Sequence, residues 1–153
     1  MIEVEVEAGD WADTVADVED LVQRAAIAAL GSRVGGVVVL LTDDATVQEL
    51  NARFRDRDRP TNVLSFPAAA MPDTGGPLSL GDIVLGYGVC AREADAQGKT
   101  LASHLTHLVV HGVLHLLGRD HEVDAEAEAM EAEERAVLAR LGVADPYTLP
   151  HDE

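Results

Sequence analysis

Residues 101–121 read LASHLTHLVVHGVLHLLGRDH, and this stretch decides the fold because it holds five of the six histidines of the 153-residue chain. On a helix, four of these histidines fall within about 80° of arc, since each residue turns by about 100°: His104, His107, His111 and His115. Apolar residues occupy the other sides, and a helix that is apolar nearly all round is a buried helix. We therefore expect this helix to be buried.

The last three histidines of this stretch have the spacing of a zinc site. His111 and His115 are one helical turn apart, so their rings can hold one ion together. Gly118 can end the helix in a left-handed conformation and return His121 as a third ligand. Three histidines leave a fourth tetrahedral position for water, as in catalytic zinc sites. We expect one zinc ion per chain, on His111, His115 and His121; histidines packed or solvated without metal are the alternative.

The same spacing occurs in zinc proteases, which read His-Glu-x-x-His-x-x-Gly-x-x-His. Here Gly112 stands where those enzymes have the glutamate that primes water, and this argues against peptidase chemistry. A site without its own strong base suits a substrate that carries a nucleophile, and RNA has a 2′-hydroxyl beside each phosphate. Asp82 is expected either to accept a hydrogen bond from a histidine or to shape a turn.

The charges of the chain are unevenly distributed. There are 28 acidic and 11 basic residues, and the net charge of −17 should repel nucleic acid over most of the surface. Four arginines nevertheless fall within seven residues: Arg53, Arg55, Arg57 and Arg59. Arg55, at a predicted helix end, is the best candidate to bind a phosphate through its forked guanidinium. For Arg57 and Arg59, ion pairing with the neighbouring aspartates is the alternative.

Composition places the chain among soluble globular proteins, with 47% hydrophobic and 25% charged residues. The longest apolar stretch, 83–91, is far shorter than the ~20 residues that span a bilayer. Cys90 is the one cysteine, so no internal disulfide forms, and the acidic N-terminus is unlike a signal peptide. We expect a cytoplasmic protein.

The apolar periodicity predicts an α+β fold in one domain, residues 1–153, with a small mixed sheet of about four strands and about five helices. The strands are predicted at 2–7, 37–41, 63–66 and 81–87, and the helices at 13–30, 43–54, 89–97, 101–117 and 124–141. The metal-binding helix is followed by the glycine turn that carries the third ligand. On the last helix the glutamates, including Glu133 and Glu134, are expected to face solvent.

Three segments together resemble the YbeY family of bacterial metal-dependent endoribonucleases. They are Phe-Arg-x-x-Asp-x-Pro-Thr-Asn-Val-Leu-Ser-Phe-Pro at 54–67, Leu-Gly-Asp-Ile at 80–83, and His-Gly-x-Leu-His-Leu-x-Gly-x-Asp-His at 111–121. The resemblance covers almost the whole chain in order. It implies a small mixed sheet with helices and a metal site that opens into a cleft near the arginine.

The resemblance also implies roles for single residues and for the whole protein. His111, His115 and His121 would bind zinc, and Arg55 and His111 would be the catalytic residues. Substrate contacts are expected from the other three arginines and from one histidine: Arg53, Arg57, Arg59 and His107. For His107, an orienting role or ordinary packing is the alternative.

The expected activity is that of a zinc-dependent, single-strand-specific endoribonuclease. The resemblance implies that it matures the 3′ end of 16S rRNA and serves ribosome quality control, on ribosomal RNA within the small subunit. Two alternatives stay open. One is another zinc metallohydrolase, acting on peptides or small molecules, and the other is a zinc-stabilised ribosome assembly factor without enzymatic activity.

Overall fold

The computed structural model describes residues 2–31, 35–67, 79–117 and 124–143. Within these ranges it contains four strands: β1 (Ile2–Val6), β2 (Gly36–Thr42), β3 (Val63–Pro67) and β4 (Ser79–Gly86). It also contains six helices: α1 (Asp10–Thr14), α2 (Val18–Leu30), α3 (Asp44–Arg55), α4 (Tyr87–Ala96), α5 (Leu101–Leu116) and α6 (Asp124–Arg140). The predicted α+β architecture is confirmed, with one helix more than expected. No helix in this part of the chain is both long and apolar enough to cross a bilayer.

The sheet has the strand order β1-β2-β4-β3. β1 and β4 run parallel to β2, whereas β3 is antiparallel to β4 and forms one edge. Gly81 on β4 makes this edge possible, because its φ of +141° is one that side chains rarely adopt. A Cβ atom there would collide with the carbonyl oxygen of Phe66 and lie 2.9 Å from the Leu116 side chain. Glycine thus lets β3 and α5 both approach β4 closely.

The helix α5 is buried, as its composition predicts, and packs on β3 and β4 between α2, α4 and α6 at the centre of the molecule. Alternate residues of β2 and β4 point toward this core and are fully or almost fully buried: Val37, Val39, Leu41, Ile83 and Leu85. Gly112 brings α5 down onto the sheet, since a Cβ atom at this position would lie only 3.0 Å from Cδ1 of Ile83.

The predicted helix over 13–30 is broken in the structure. Val15 is extended, Asp17 has a left-handed φ of 51°, and α2 starts only at Val18. The cause is the anchoring of α1 by Trp11, which is fully buried. Its indole Nε1 donates to the carbonyl oxygen of Thr42 at 2.9 Å, and this bond holds α1 at the end of β2. The chain must therefore turn before it can follow the sheet as α2.

Among the described residues, α3 covers part of the second face of the sheet. Val47 of α3 packs there on Leu64 and Val84. Asp82 is exposed on this face, because the strand alternates and its neighbour Ile83 faces α5. Neither alternative for Asp82 is found among the described residues: it accepts no hydrogen bond from a histidine there, and it lies within β4, paired with Val38, and not in a turn. Partial burial of the Asp82 carboxyl raises its pKa, and the negative charge of Glu3 on the same face adds a smaller effect in the same direction.

Candidate active site

The histidines of α5 form the stripe that their spacing predicts. The side-chain oxygen of Thr100 caps this helix by accepting a hydrogen bond from the backbone N–H of Ser103 at 3.1 Å. Neighbouring imidazole centroids then follow each other along one side of the helix. The last pair, His111 and His115, is the closest, with 4.6 Å between ring centroids. Two imidazoles at this separation on one helix face are placed to converge on a common ligand.

His111 and His115 open into a cleft of about 230 Å³, which we call the histidine cleft. Its lining comprises one residue of α3, three of β3 and two of α5: Arg55, Val63, Ser65, Pro67, His111 and His115. The β3 residues are alternate positions of a strand, so they share one face and form one wall. The predicted catalytic residues Arg55 and His111 are thus brought together in one cleft.

Arg55 is placed by the way in which α3 begins and ends. The Asp43 carboxylate accepts a hydrogen bond from the backbone N–H of Thr46 at 2.8 Å and caps the start of the helix. At the other end Asp56 adopts a left-handed φ of 60°, and Arg55 is the last helical residue. Asn51, buried at 3% exposure, donates from Nδ2 to the carbonyl oxygen of Arg59 at 2.9 Å. This bond folds residues 56–59 back against α3.

The other three arginines of this segment are exposed and do not line the histidine cleft: Arg53, Arg57 and Arg59. Between residues that the structure describes, no ion pair joins any of the four arginines to a carboxylate. Asp58 accepts instead from Nε2 of Gln48 at 2.9 Å. The alternative of local ion pairing therefore finds no support among these residues, and the segment presents its positive charge to solvent.

Glu134 of α6 is the site residue that sequence reasoning missed. It is fully buried, so the expectation of a solvent-facing glutamate is wrong at this position. One carboxylate oxygen accepts from Nε2 of His107 at 3.0 Å and the other from Nδ1 of His111 at 2.6 Å. A signal existed in the sequence, since Glu134 follows the buried Met130 by four residues and precedes Val137 and Leu138 by three and four. That spacing puts it on the apolar face of α6.

His107, His111 and Glu134 could also hold a metal ion as a group, because their ligand atoms lie within 4.8 Å of one another. His107 is not among the residues that line the histidine cleft. Gly118 and His121, the predicted turn and third zinc ligand, lie outside the described residues.

The donor set around His111 fits a zinc ion. Imidazole is a preferred zinc ligand, and metal-binding histidines usually donate their second N–H to a carboxylate. Glu134 supplies that carboxylate at Nδ1 of His111, which leaves Nε2 as the nitrogen for a metal. A fully buried carboxylate is costly without positive charge nearby, and a dication across the imidazole ring would offset this cost.

His104, the first histidine of the stripe, belongs to a hydrogen-bond network that supports the β3 wall of the cleft. Nε2 of His104 and Nδ2 of Asn62 both lie 2.9 Å from the same oxygen of Glu93. The side-chain oxygen of Asn62 accepts from the backbone N–H of Val63, so the network ties the start of β3 to α4 and α5. Burial lowers the pKa of His104, although the hydrogen bond that the ring donates to Glu93 acts in the opposite direction. Cys90, whose Sγ lies 3.5 Å from the carbonyl oxygen of Asn62, is buried, and burial raises the pKa of its thiol.

Comparison with known proteins identifies the family. The family model described as Endoribonuclease YbeY matches residues 3–142. The chain belongs to the YbeY endoribonuclease family. A relative from Azorhizobium caulinodans named Endoribonuclease YbeY is 50% identical, with 97% of each chain covered. One of the same name from Rhodopseudomonas palustris is 52% identical over 95% of this chain and 80% of its own length.

A solved structure has the same fold. The solution structure of TM1509 from Thermotoga maritima matches with a TM-score of 0.55 at 26% identity. The match covers 97% of this chain and 99% of that protein. The fold described above is therefore shared with this solved structure over nearly its whole length.

Proposed function

We propose that residues 1–153 form one zinc-dependent, single-strand-specific endoribonuclease domain that works in the cytoplasm. The observation that carries this proposal is the histidine cleft, which unites Arg55 with His111 and His115. A guanidinium that can bind a phosphate and two histidines that can bind a metal ion, together in one cleft, can stabilise the charge that develops during phosphodiester cleavage. Membership in an endoribonuclease family supports RNA as the substrate.

One zinc ion per chain would be held by His111, His115 and His121. Glu134 would accept the Nδ1 hydrogen of His111 and so fix the ring with Nε2 toward the ion. His107, bonded to the other oxygen of Glu134, would hold the carboxylate in place. The bound ion would supply Lewis-acid chemistry, either polarising a phosphoryl oxygen or activating water.

The protein side chains would bind and orient the scissile phosphate. Arg55 projects from the end of α3 into the cleft and would stabilise the negative charge that develops on the phosphate oxygens. Arg53, Arg57 and Arg59 are exposed beside it and would attract the flanking phosphates of the RNA strand. The nucleophile is water or the RNA's own 2′-hydroxyl.

The biological substrate that we propose is ribosomal RNA. The chain would mature the 3′ end of 16S rRNA and act in ribosome quality control, on RNA within the small subunit. The net charge of −17 supports assistance by the ribosomal context, because affinity for nucleic acid comes largely from neutralised phosphates.

The first experiment is cleavage of a labelled single-stranded RNA by zinc-loaded protein, beside His115→Ala and Arg55→Glu variants prepared identically. We expect His115→Ala to lose both zinc and cleavage. Arg55→Glu should retain zinc and lose cleavage by at least about 100-fold, because it removes only charge stabilisation. Zinc content is measured by atomic spectroscopy on the same samples.

Three other outcomes of this experiment would contradict the proposal or part of it. Equal cleavage by all three preparations would reveal a contaminating nuclease. Loss of zinc in Arg55→Glu would contradict the role given to Arg55. If chelation of zinc unfolds the protein and no preparation cuts RNA or intact small subunits, the metal is structural and the nuclease proposal is wrong.

A further inference from the structure

Phe54 is an exposed aromatic side chain next to the histidine cleft. It is 62% exposed, and among the described residues only Ile27 is another large hydrophobic side chain with comparable exposure. Exposed phenylalanine costs solvation free energy, since burying such a ring is worth about 1.5–3 kcal/mol. Ile27 lies on α2, which contributes nothing to the cleft lining, whereas Phe54 directly precedes Arg55.

The position of Phe54 is fixed by aromatic contact with the edge strand. Its ring meets that of Phe66 edge to face, with 5.7 Å between centroids and 68° between planes. Successive strand residues alternate between faces, so Phe66 lies on the side of β3 opposite to Ser65 and Pro67, which line the cleft. Phe54 and Arg55 therefore lie on opposite sides of β3. Phe54 is on the side away from the cleft, and Arg55 is on the side that lines it.

The surroundings of the Phe54 ring carry positive charge. The guanidinium carbon of Arg53 lies 5.9 Å from the ring centroid, and Arg55, Arg57 and Arg59 follow along the chain. An exposed ring with one arginine near it and others beside it in the chain is complementary to a single-stranded nucleic acid, which offers aromatic bases and negative phosphates in alternation. A basic surface that displays one aromatic ring is not complementary to an apolar protein partner.

We propose that Phe54 is a stacking platform for one base of a single-stranded RNA whose neighbouring phosphate is bound by Arg55. The inference rests on the proposed ribonuclease function and adds to it the binding site of a nucleotide beside the scissile phosphate. The strand would pass around the edge of β3, with a phosphate in the histidine cleft and a neighbouring base on the Phe54 ring. A duplex cannot present an unstacked base in this way, so the platform favours single strands.

The test combines protein variants with RNAs that lack one base. Phe54→Ala and Phe54→Leu should raise KM for a short single-stranded RNA by about 5- to 150-fold with kcat little changed, as removal of one stacked base predicts. Phe54→Tyr keeps a ring and should stay near the wild type. Ile27→Ala removes the other exposed hydrophobic side chain and should leave KM unchanged.

The RNA arm identifies the stacked base. An abasic nucleotide is placed at each position around the cleavage site in turn. One position should raise KM for the wild type as much as Phe54→Ala does, and should cause no further increase in that variant. If the increases in KM caused by the abasic nucleotide and by Phe54→Ala multiply at every position, the proposal is wrong. A KM of Phe54→Leu equal to that of the wild type would also overturn it.

A binding measurement separates failure of this proposal from failure of the nuclease function. The chain has one tryptophan, Trp11, which is fully buried. Subtracting the fluorescence emission of the wild type from that of a Phe54→Trp variant therefore gives the emission of the new side chain. Quenching by single-stranded but not double-stranded RNA would support the platform even if the protein does not cut. Cleavage without quenching and with an unchanged KM in Phe54→Ala would overturn the platform alone. Absence of both cleavage and quenching would overturn both proposals.

Discussion

At the scale of single residues, most side chains of the site could be predicted from the sequence, and one could not. His111, His115 and Arg55 follow from spacing and charge, and the structure places all three in one cleft. Glu134 stayed hidden because it stands in a run of glutamates, which usually face solvent. The helical spacing of Glu134 from Met130 and Leu138 indicates a buried position. Buried carboxylates are rare, however, so a glutamate in such a run is predicted to face solvent in spite of that spacing.

The role of Glu134 leads to a prediction about metal affinity. Glu134→Gln should lower zinc affinity by about 10- to 100-fold, the usual effect of removing a carboxylate that supports a zinc-binding histidine. The amide keeps the shape of the side chain but loses the charge. Competition with a chromophoric chelator measures the affinity directly.

The matched control for this variant is Glu128→Gln, an exposed position on the same helix. It removes the same charge from α6 without touching a histidine, so its zinc affinity should equal that of the wild type. Equal affinities for wild type and Glu134→Gln would show that Glu134 does not support the metal site.

At the scale of secondary-structure elements, the periodicity located the strands and most of the helices correctly. It failed between α1 and α2, where the apolar spacing continues but the chain breaks at Asp17. The break depends on the hydrogen bond from Trp11 to Thr42, two residues that are 31 positions apart. Local patterns cannot contain such a contact, so this boundary could not be predicted from the sequence.

The burial of His104 between α4 and α5 gives stability a dependence on pH. Because burial lowers its pKa in the folded state, the unfolded chain binds the proton first as the pH falls. The contribution of His104 is complete above its ordinary pKa of 6.5 and is lost as the pH falls below that value toward the lower pKa of the folded ring. The charged groups that act on it are Glu93, Lys99 and His107.

Thermal unfolding between pH 7.5 and pH 5.5 tests this effect. The midpoint of the wild type should fall more steeply with acidification than that of His104→Gln, which keeps a polar partner for Glu93 but cannot titrate. The comparison removes the contributions of carboxylates and of other histidines, which both proteins share. Parallel pH profiles would show that His104 does not titrate differently in the folded and unfolded states.

At the scale of the whole molecule, charge opposes the proposed function except along one short segment. The net charge is −17, yet Arg53, Arg55, Arg57 and Arg59 are free of ion pairs with described carboxylates. The sequence predicted this asymmetry, and the structure adds that the segment borders the histidine cleft. Binding of free RNA should accordingly be weak and strongly dependent on salt.

The salt dependence can be assigned to individual arginines. Replacing Arg57 by alanine should reduce the slope of log affinity against log salt by about 0.7, the value for one phosphate contact on a single strand. Arg24→Ala is the control, because that arginine is exposed on α2 and already paired with Asp20. Fluorescence anisotropy of a labelled RNA over a salt series measures both slopes. An unchanged slope in Arg57→Ala would remove Arg57 from the substrate contacts.

The contact between Gly112 and Ile83 also bears on how this family could have evolved. A zinc protease with the same histidine spacing needs glutamate at position 112, but here that position faces the sheet and has no room for even a methyl group without displacing Ile83. A glutamate at this position would have to push the Ile83 side chain aside, which would weaken the packing of α5 on the sheet. Conversion to the protease motif would therefore require space to be made at Ile83 as well as the substitution at position 112, although the histidine spacing is the same.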